Sequence, residues 1–403
     1  MNILDQLYKM TALGDIIAEP SVLLMLLIGF LLLYLGIAKK YEPLLLVPIA
    51  FGIILANLPG GGMGVVPAEM IELPEGRYLN LFEIASEYGI MNYLYYSLIK
   101  TGFLPPIIFM GVGALTDFGP MLRNLRLAFF GAAAQIGIFS VILVAIALGF
   151  TPKEAGSLGI IGGADGPTAI YTTIMLAPHL LGPIAIAAYS YMALVPVIVP
   201  FVANLLMTKK EFKINMKQQD KLYPPKHQIK NLKLVKILFP IILGVVIAFF
   251  VPSSVPLLGM LLFGNLIKEI GSTTQRLADA ATGPIMNTAT IFLGLAVGGT
   301  MTHTVFLDFQ TLGIIVGGFL AFAISIAGGI VAVKIYNLFS KKKINPLIGA
   351  TGLSAVPMAS RVANEMSLKY DTSNHILQYC MASNISGVIG SAVAAGVLIS
   401  ILG

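Results

Sequence analysis

Long stretches of this chain carry no Asp, Glu, Lys or Arg: residues 21–38, 102–116, 127–152, 180–208, 237–267, 280–302, 309–333 and 376–403. Most reach the roughly 20 residues that cross a hydrocarbon core about 30 Å thick. Only helices and closed barrels satisfy their backbone groups in that medium. These runs are too long for the short alternating strands of an outer-membrane barrel, so the fold class expected is an all-α polytopic membrane protein. Composition agrees: 11% of the 403 residues are charged and 57% are hydrophobic, against roughly 25% charged in an average soluble domain. A soluble enzyme, a disordered chain and a disulfide-stapled secreted domain are excluded. Cys380 is the only cysteine, so no intrachain disulfide forms. Asp5, Lys9, Asp15 and Glu19 before the first apolar run do not make a signal-peptide layout. The net charge of +6 sits in a few loops and speaks to topology, not to nucleic acid.

Cytoplasmic loops collect Lys and Arg. Four clusters stand out: Lys39-Lys40, Arg123 with Arg126, the 209–236 segment with nine lysines against Glu211 and Asp220, and Lys341-Lys342-Lys343. With all four inside, 21–38 runs inward, 43–58 outward, and the 59–78 loop with Glu69, Glu72, Glu75 and Arg77 lies outside. Residues 79–101 read as an interfacial helix, 103–118 runs inward, 127–149 outward and 180–206 inward. Residues 150–179 then begin and end outside, yet they are mostly apolar. Irregular backbone at membrane depth is tolerated only inside protein or beside a water-filled cavity, so 150–179 is expected to be a re-entrant hairpin.

The second half repeats the plan upside down. Pro252 and Pro256 divide 237–267 into two short crossings. Residues 280–302 then run outward, 309–337 inward and 376–403 outward. Residues 344–373 begin and end inside, with an uncharged second hairpin over 344–360. Ile108-Phe109-Met110-Gly111 echoes Ile291-Phe292-Leu293-Gly294. Inverted repeats with broken segments meeting near the midplane are a transporter signature. The divisions are an N-terminal part (1–78), a first repeat (79–208), a basic cytoplasmic loop (209–236) and a second repeat (237–403).

Asp165 is the only carboxylate in 155–178, within Gly162-Gly163-Ala164-Asp165-Gly166-Pro167-Thr168. An acid at membrane depth costs roughly 2.5–3.5 kcal/mol on insertion scales. It reads as a ligand for sodium or a proton, or else as a solvated Asp-Gly turn. The second hairpin carries Asn345-Pro346, Gly349, Thr351-Gly352, Ser354, Pro357 and Arg361. These supply neutral oxygens suited to a hard cation, or ordinary turns and caps. Arg361 is either a receptor for an anionic group or an interfacial anchor. Tyr189, Ser190 and Tyr191 sit mid-helix, as packing residues or as hydroxyls facing a polar interior. Asp117 is expected in a local ion pair near Arg123 and Arg126, and Glu365 and Asp371 are expected to face the cytoplasm. His179, His227, His303 and His375 show no metal-ligand spacing.

At these hairpins the chain resembles a known family. Gly162–Tyr171, Ala188-Tyr189-Ser190-Tyr191-Met192-Ala193-Leu194-Val195-Pro196, Gly113–Pro120, Asn345–Ala359 and the tail Gly387–Val397 are similar to the beta subunit of the biotin-dependent, sodium-translocating decarboxylases. The resemblance covers roughly residues 80–403. It implies that a carboxyltransferase alpha subunit loads biotin on a carrier protein, and that the beta subunit decarboxylates the carboxybiotin, consuming a proton and driving sodium outward. It implies sodium-site positions at Asp165, Tyr191, Asn345, Gly349 and Ser354, catalytic roles for Tyr191 and Arg361, and carboxybiotin contacts at Arg361 and Ser354. It further implies a small membrane subunit of gamma or delta type, a trimer of beta subunits, and residence in the lipid bilayer of the cytoplasmic membrane. The upstream acid or acyl-CoA is chosen by another chain. The inverted architecture alone suits a sodium-coupled secondary transporter without decarboxylase chemistry equally well.

Overall fold

The computed structural model describes residues 11–40, 43–67, 70–72, 78–224, 229–306, 309–354 and 358–403. Asp5, Lys9, Glu69, Glu75, Arg77, His227 and the Ala355–Pro357 part of the second hairpin motif lie outside the described residues, as do the side chains of Asp15 and Ser190. Among the described residues the chain is helical, with one isolated bridge between Glu72 and Tyr78.

An N-terminal pair, α1 (Ser21–Ile37) and α2 (Pro43–Ala56), precedes α3 (Leu81–Leu94) and α4 (Leu104–Leu115). There follow α5 (Leu125–Ala134), α6 (Ile136–Ala147), the short α7 (Pro152–Gly159) and α8 (Gly166–Leu176), then α9 (Leu181–Ala193) and α10 (Val195–Leu206). The second half holds α11 (Leu232–Phe250), α12 (Val255–Ile270), α13 (Met286–Gly299), α14 (Phe309–Phe339), α15 (Leu347–Ala350), α16 (Met358–Tyr370) and α17 (Leu377–Leu402). Among the described residues, six helical runs are long and apolar enough to cross a membrane. A seventh arises if Leu81–Ile99 and Leu104–Leu115, bent by 68°, act as one span. The expected all-helical, multi-pass architecture holds. Phe249 and Phe250 on α11 are 80% and 81% exposed, and so apolar a face needs lipid or another chain to cover it.

Prolines place the breaks. Pro252 has no N–H to continue α11 and biases Val251 toward extended backbone, so a 3-10 turn over Pro252–Ser254 separates α11 from α12, as expected. The expected single 180–206 helix is instead broken at Leu194. Pro196, at the start of α10, lacks the N–H that would bond to Met192. The expected 127–149 crossing is one span, Leu125–Ala147, with a local turn at Gln135, whose side-chain amide donates to the carbonyls of Gly131 and Gly387.

Two helical hairpins are buried within this frame. In the first, α7 and α8 fold back on each other: a Cβ on Gly156 would lie 3.1 Å from Leu176, and Glu154 meets His179 at 3.0 Å across the open end. The Thr151 N–H, helped by the Thr151 hydroxyl and the His179 ring, holds the Glu154 carboxyl below its ordinary range against slight burial. In the second, both ends rest on one segment. The Asn345 amide donates to Phe212 O and Ile214 O at 3.1 Å each, and the Asn374 amide to Ile214 O at 2.9 Å. Its return limb runs on through Tyr370.

The basic segments gather at that same end. Lys342 meets Asp220 at 2.5 Å, Lys334 meets Glu211 at 3.2 Å, and Lys236 meets Asp117 at 2.7 Å and Glu269 at 3.0 Å. Asp117 therefore pairs with Lys236 of α11 rather than locally with Arg123 or Arg126. The Gly119 N–H, 2.9 Å from its Oδ1, fixes the carboxylate, and α4 packs along α12, next to α11. Burial pushes the Asp117 carboxyl up, but Lys236 and Gly119 together hold it below its ordinary value.

Candidate functional site

The tip of the first hairpin is a tight reversal. Ile160–Gly163 close into a 3-10 turn, and Ala164 then takes φ 57° and ψ 41°, the left-handed region. For a residue with a Cβ this costs roughly 1–2 kcal/mol. The reversal delivers Asp165 to the N-cap of α8, where its Oδ1 accepts the Thr168 N–H at 3.3 Å and Pro167 has no donor to satisfy. Asp165 is 6% exposed.

The second hairpin meets it tip to tip. Ser354 donates its N–H to Gly163 O at 3.0 Å and its hydroxyl to Asp165 Oδ2 at 2.9 Å. Ser391 of α17 donates to the same carboxylate oxygen at 3.2 Å, and Ser325 of α14 donates to Gly162 O at 2.7 Å. Glycine is required at this junction. A Cβ on Gly166 would overlap the ring of Tyr189, and one on Gly163 would come within 2.9 Å of Ser391.

Around Asp165 lie buried oxygens that make no well-aligned hydrogen bond among the described residues: Thr168 Oγ1, Tyr189 OH, Gln135 Oε1 and Asn384 Oδ1. Tyr189 packs on Gly166, Gln135 Oε1 sits 3.8 Å from the place of a Gly163 Cβ, and the Asn384 amide donates to Leu353 O at 2.5 Å. The two amide oxygens can only accept, so a donor or a cation must complete them. No group of three His, Cys, Asp or Glu side chains stands together among the described residues. One carboxylate among neutral oxygens fits a hard cation of low charge, such as an alkali ion.

The structure brings Asp165 and Ser354 into direct contact, and places the other expected site residues apart from that pair. The Tyr191 hydroxyl donates to Ile315 O of α14, and its ring packs near Phe319 and Phe322. Gly349 lies backbone to backbone with Gly329 of α14, where a Cβ on either would strike the other's carbonyl. Asn345 is at the open end of the second hairpin, its Oδ1 accepting the Leu347 N–H at 3.1 Å. Arg361 is exposed on α16. Gln135, Asn384 and Ser391 were not singled out in the sequence. Each is a polar residue inside an otherwise apolar helical run, which is the one signal that points to them.

Comparison with known proteins gives the same answer throughout. Residues 21–402 match the family described as the Na+-transporting oxaloacetate decarboxylase beta subunit. The chain is 47% identical to methylmalonyl-CoA decarboxylase subunit beta of Propionigenium modestum, over 94% of this chain and 95% of that one. It is 46% identical to a probable oxaloacetate decarboxylase beta chain of Vibrio cholerae serotype O1, over 93% and 94%. It is 45% identical to the oxaloacetate decarboxylase beta chain of Klebsiella pneumoniae, over 93% and 94%. The chain belongs to this family of sodium-transporting decarboxylase beta subunits.

Proposed function

We propose that this decarboxylase beta subunit breaks down carboxybiotin presented from the cytoplasm and couples that step to sodium export across the cytoplasmic membrane. The observation that carries the reading is the meeting of two hairpin tips on one buried carboxylate ringed by unsatisfied oxygens. The partners are a carboxyltransferase alpha subunit, a biotin carrier protein and a small gamma- or delta-type membrane subunit, around a trimer of beta subunits.

In this reading the two repeats are inverted and the hairpins re-enter the bilayer from opposite faces. The open end of the second hairpin lies among the lysine clusters, which belong inside. Because the tips touch, the first hairpin opens toward the other face, with Glu154 and His179 at its mouth. Sodium binds at Asp165 and Ser354. Asn345 and Gly349 lie along the limb of the second hairpin that leads to Ser354, and serve the ion on its way from the cytoplasm. Tyr191 supplies a second hydroxyl once movement of the first unit frees it from Ile315.

Carboxybiotin, held by its carrier, contributes a carboxylate that leaves as CO2 when a proton replaces it on the ring nitrogen. Arg361 and Ser354 receive that carboxylate, and Tyr191 is the proton donor. Loss of the negative charge beside Arg361 changes which arrangement of the hairpins is favoured. Export requires that sodium and the carboxylate bind the two arrangements unequally, since equal affinity would shift nothing.

Asp165→Asn in membranes of the intact complex tests this. Sodium stimulation of decarboxylation should disappear. Stimulation with unchanged sodium affinity would refute the role given to Asp165.

A further inference from the structure

The two oxygens of Asp165 face unequal company. Oδ2 receives Ser354 at 2.9 Å and Ser391 at 3.2 Å, while Oδ1 receives a long 3.3 Å bond from the Thr168 N–H. Beside the carboxylate stand two hydroxyls that make no well-aligned hydrogen bond among the described residues, although the Thr168 hydroxyl lies within reach of Asp165. Thr168 Oγ1 belongs to a residue 0% exposed, and the Tyr189 hydroxyl to one 2% exposed. Thr168 is in the first turn of α8, bonded through its N–H to Asp165. Tyr189 comes from α9, packs on Gly166, and lies close enough for Asp165 to act on it electrostatically. A buried hydroxyl without a partner is destabilising. Two of them against one carboxylate make sense if the group that completes them is an ion shared with that carboxylate.

We infer that Thr168 and Tyr189 are sodium ligands that keep hold of the ion, together with Asp165, when the second hairpin withdraws Ser354. The inference rests on Asp165 being the sodium-binding carboxylate. Asp165 and Thr168 share the first turn of α8 and Tyr189 packs on Gly166 of that turn, all three in the first half of the chain, whereas Ser354 and Ser391 come from the second half. Relative movement of the halves removes the serines and leaves the other three groups in place. The ion then exchanges one set of neighbours for another and never faces the bilayer with the carboxylate alone. Both hydroxyls act as neutral oxygens, so no proton need leave them.

The test uses the purified complex in detergent, melted in NaCl and in choline chloride over a sodium titration. Tyr189→Phe removes an oxygen that has no partner among the described residues and should melt in choline chloride at or above the wild-type temperature, while Thr168→Val, which also takes a hydroxyl from beside Asp165, should melt within a few degrees of it. Each should raise the sodium concentration for half-maximal stabilisation on the order of tenfold, and Thr168→Ser should restore the wild-type value. Unchanged half-saturation in both variants overturns the inference. So does an equal loss of melting temperature in the two salts, which marks a packing role. Asp165→Asn, melted alongside, separates the two ideas. If it alone loses the sodium response, only the ligand roles of Thr168 and Tyr189 fail. If it keeps the response, the reading of Asp165 fails as well.

Discussion

Gly166→Ala isolates the contact that sets the Tyr189 hydroxyl beside Asp165. The backbone at 166 is ordinary helix, since Gly166 is not among the positive-φ positions. Alanine should therefore gain about 0.5–1 kcal/mol over glycine from helix propensity alone. Against this, its Cβ would lie within 2.7 Å of three atoms of the Tyr189 ring. That ring is 2% exposed, inside an apolar cluster that also holds Ile170, Ile186 and Leu293. Overpacking of this kind costs about 1–3 kcal/mol, so a net loss of about 1–2 kcal/mol is expected. In a Tyr189→Leu background the ring is gone, and the same substitution should become neutral or stabilising by about 0.5–1 kcal/mol. The change of sign is the signature, a coupling of about 1–3 kcal/mol between residues in contact. Reversible unfolding in mixed detergent, run on the four proteins of the cycle, measures it. An equal cost for Gly166→Ala in both backgrounds would show that the ring does not occupy the space assigned to it.

Two further outcomes follow from the same geometry. Lys236→Met leaves Glu269, whose side chain is 9% exposed, with only the 4.0 Å contact to Lys268; it should destabilise by about 3–5 kcal/mol, and adding Glu269→Gln should recover most of that in the same unfolding assay. Ala164→Gly removes a Cβ from a residue at φ 57° and should raise stability by about 1 kcal/mol; a lower unfolding midpoint would mean that the left-handed reversal is not as described.

Much of the architecture was legible in the chain because a bilayer punishes charge. The uncharged runs marked the crossings, and Pro252 marked a break that the structure keeps. The break at Leu194 and the local turn at Gln135 were harder to see. Pro196 sits at the start of a helix, where proline is also at home, and a lone glutamine has no local signature of a kink. Asp165 could be singled out because it is the only acid in a long apolar stretch. Gln135, Asn384 and Ser391 carry no charge and are tolerated in helices for many reasons, so their convergence left no mark on local sequence. Asp117 was assigned a neighbour in sequence, and its true partner, Lys236, lies more than a hundred residues away.

The sequence alone determined that the chain is a multi-pass helical membrane protein with a lone acid in a glycine-rich apolar stretch, since the cost of charge and of unpaired backbone groups in a bilayer is set by composition along the chain. Tertiary structure alone decided which oxygens face that acid. Ser354 lies 189 residues from Asp165 and Ser391 lies 226 away, and Tyr189 rather than Tyr191 packs over Gly166 because the two tyrosines point to different faces of α9. Side-chain direction on a helix turns by about 100° per residue, so neighbours in sequence can belong to different sites, while groups from opposite ends of the chain meet in one.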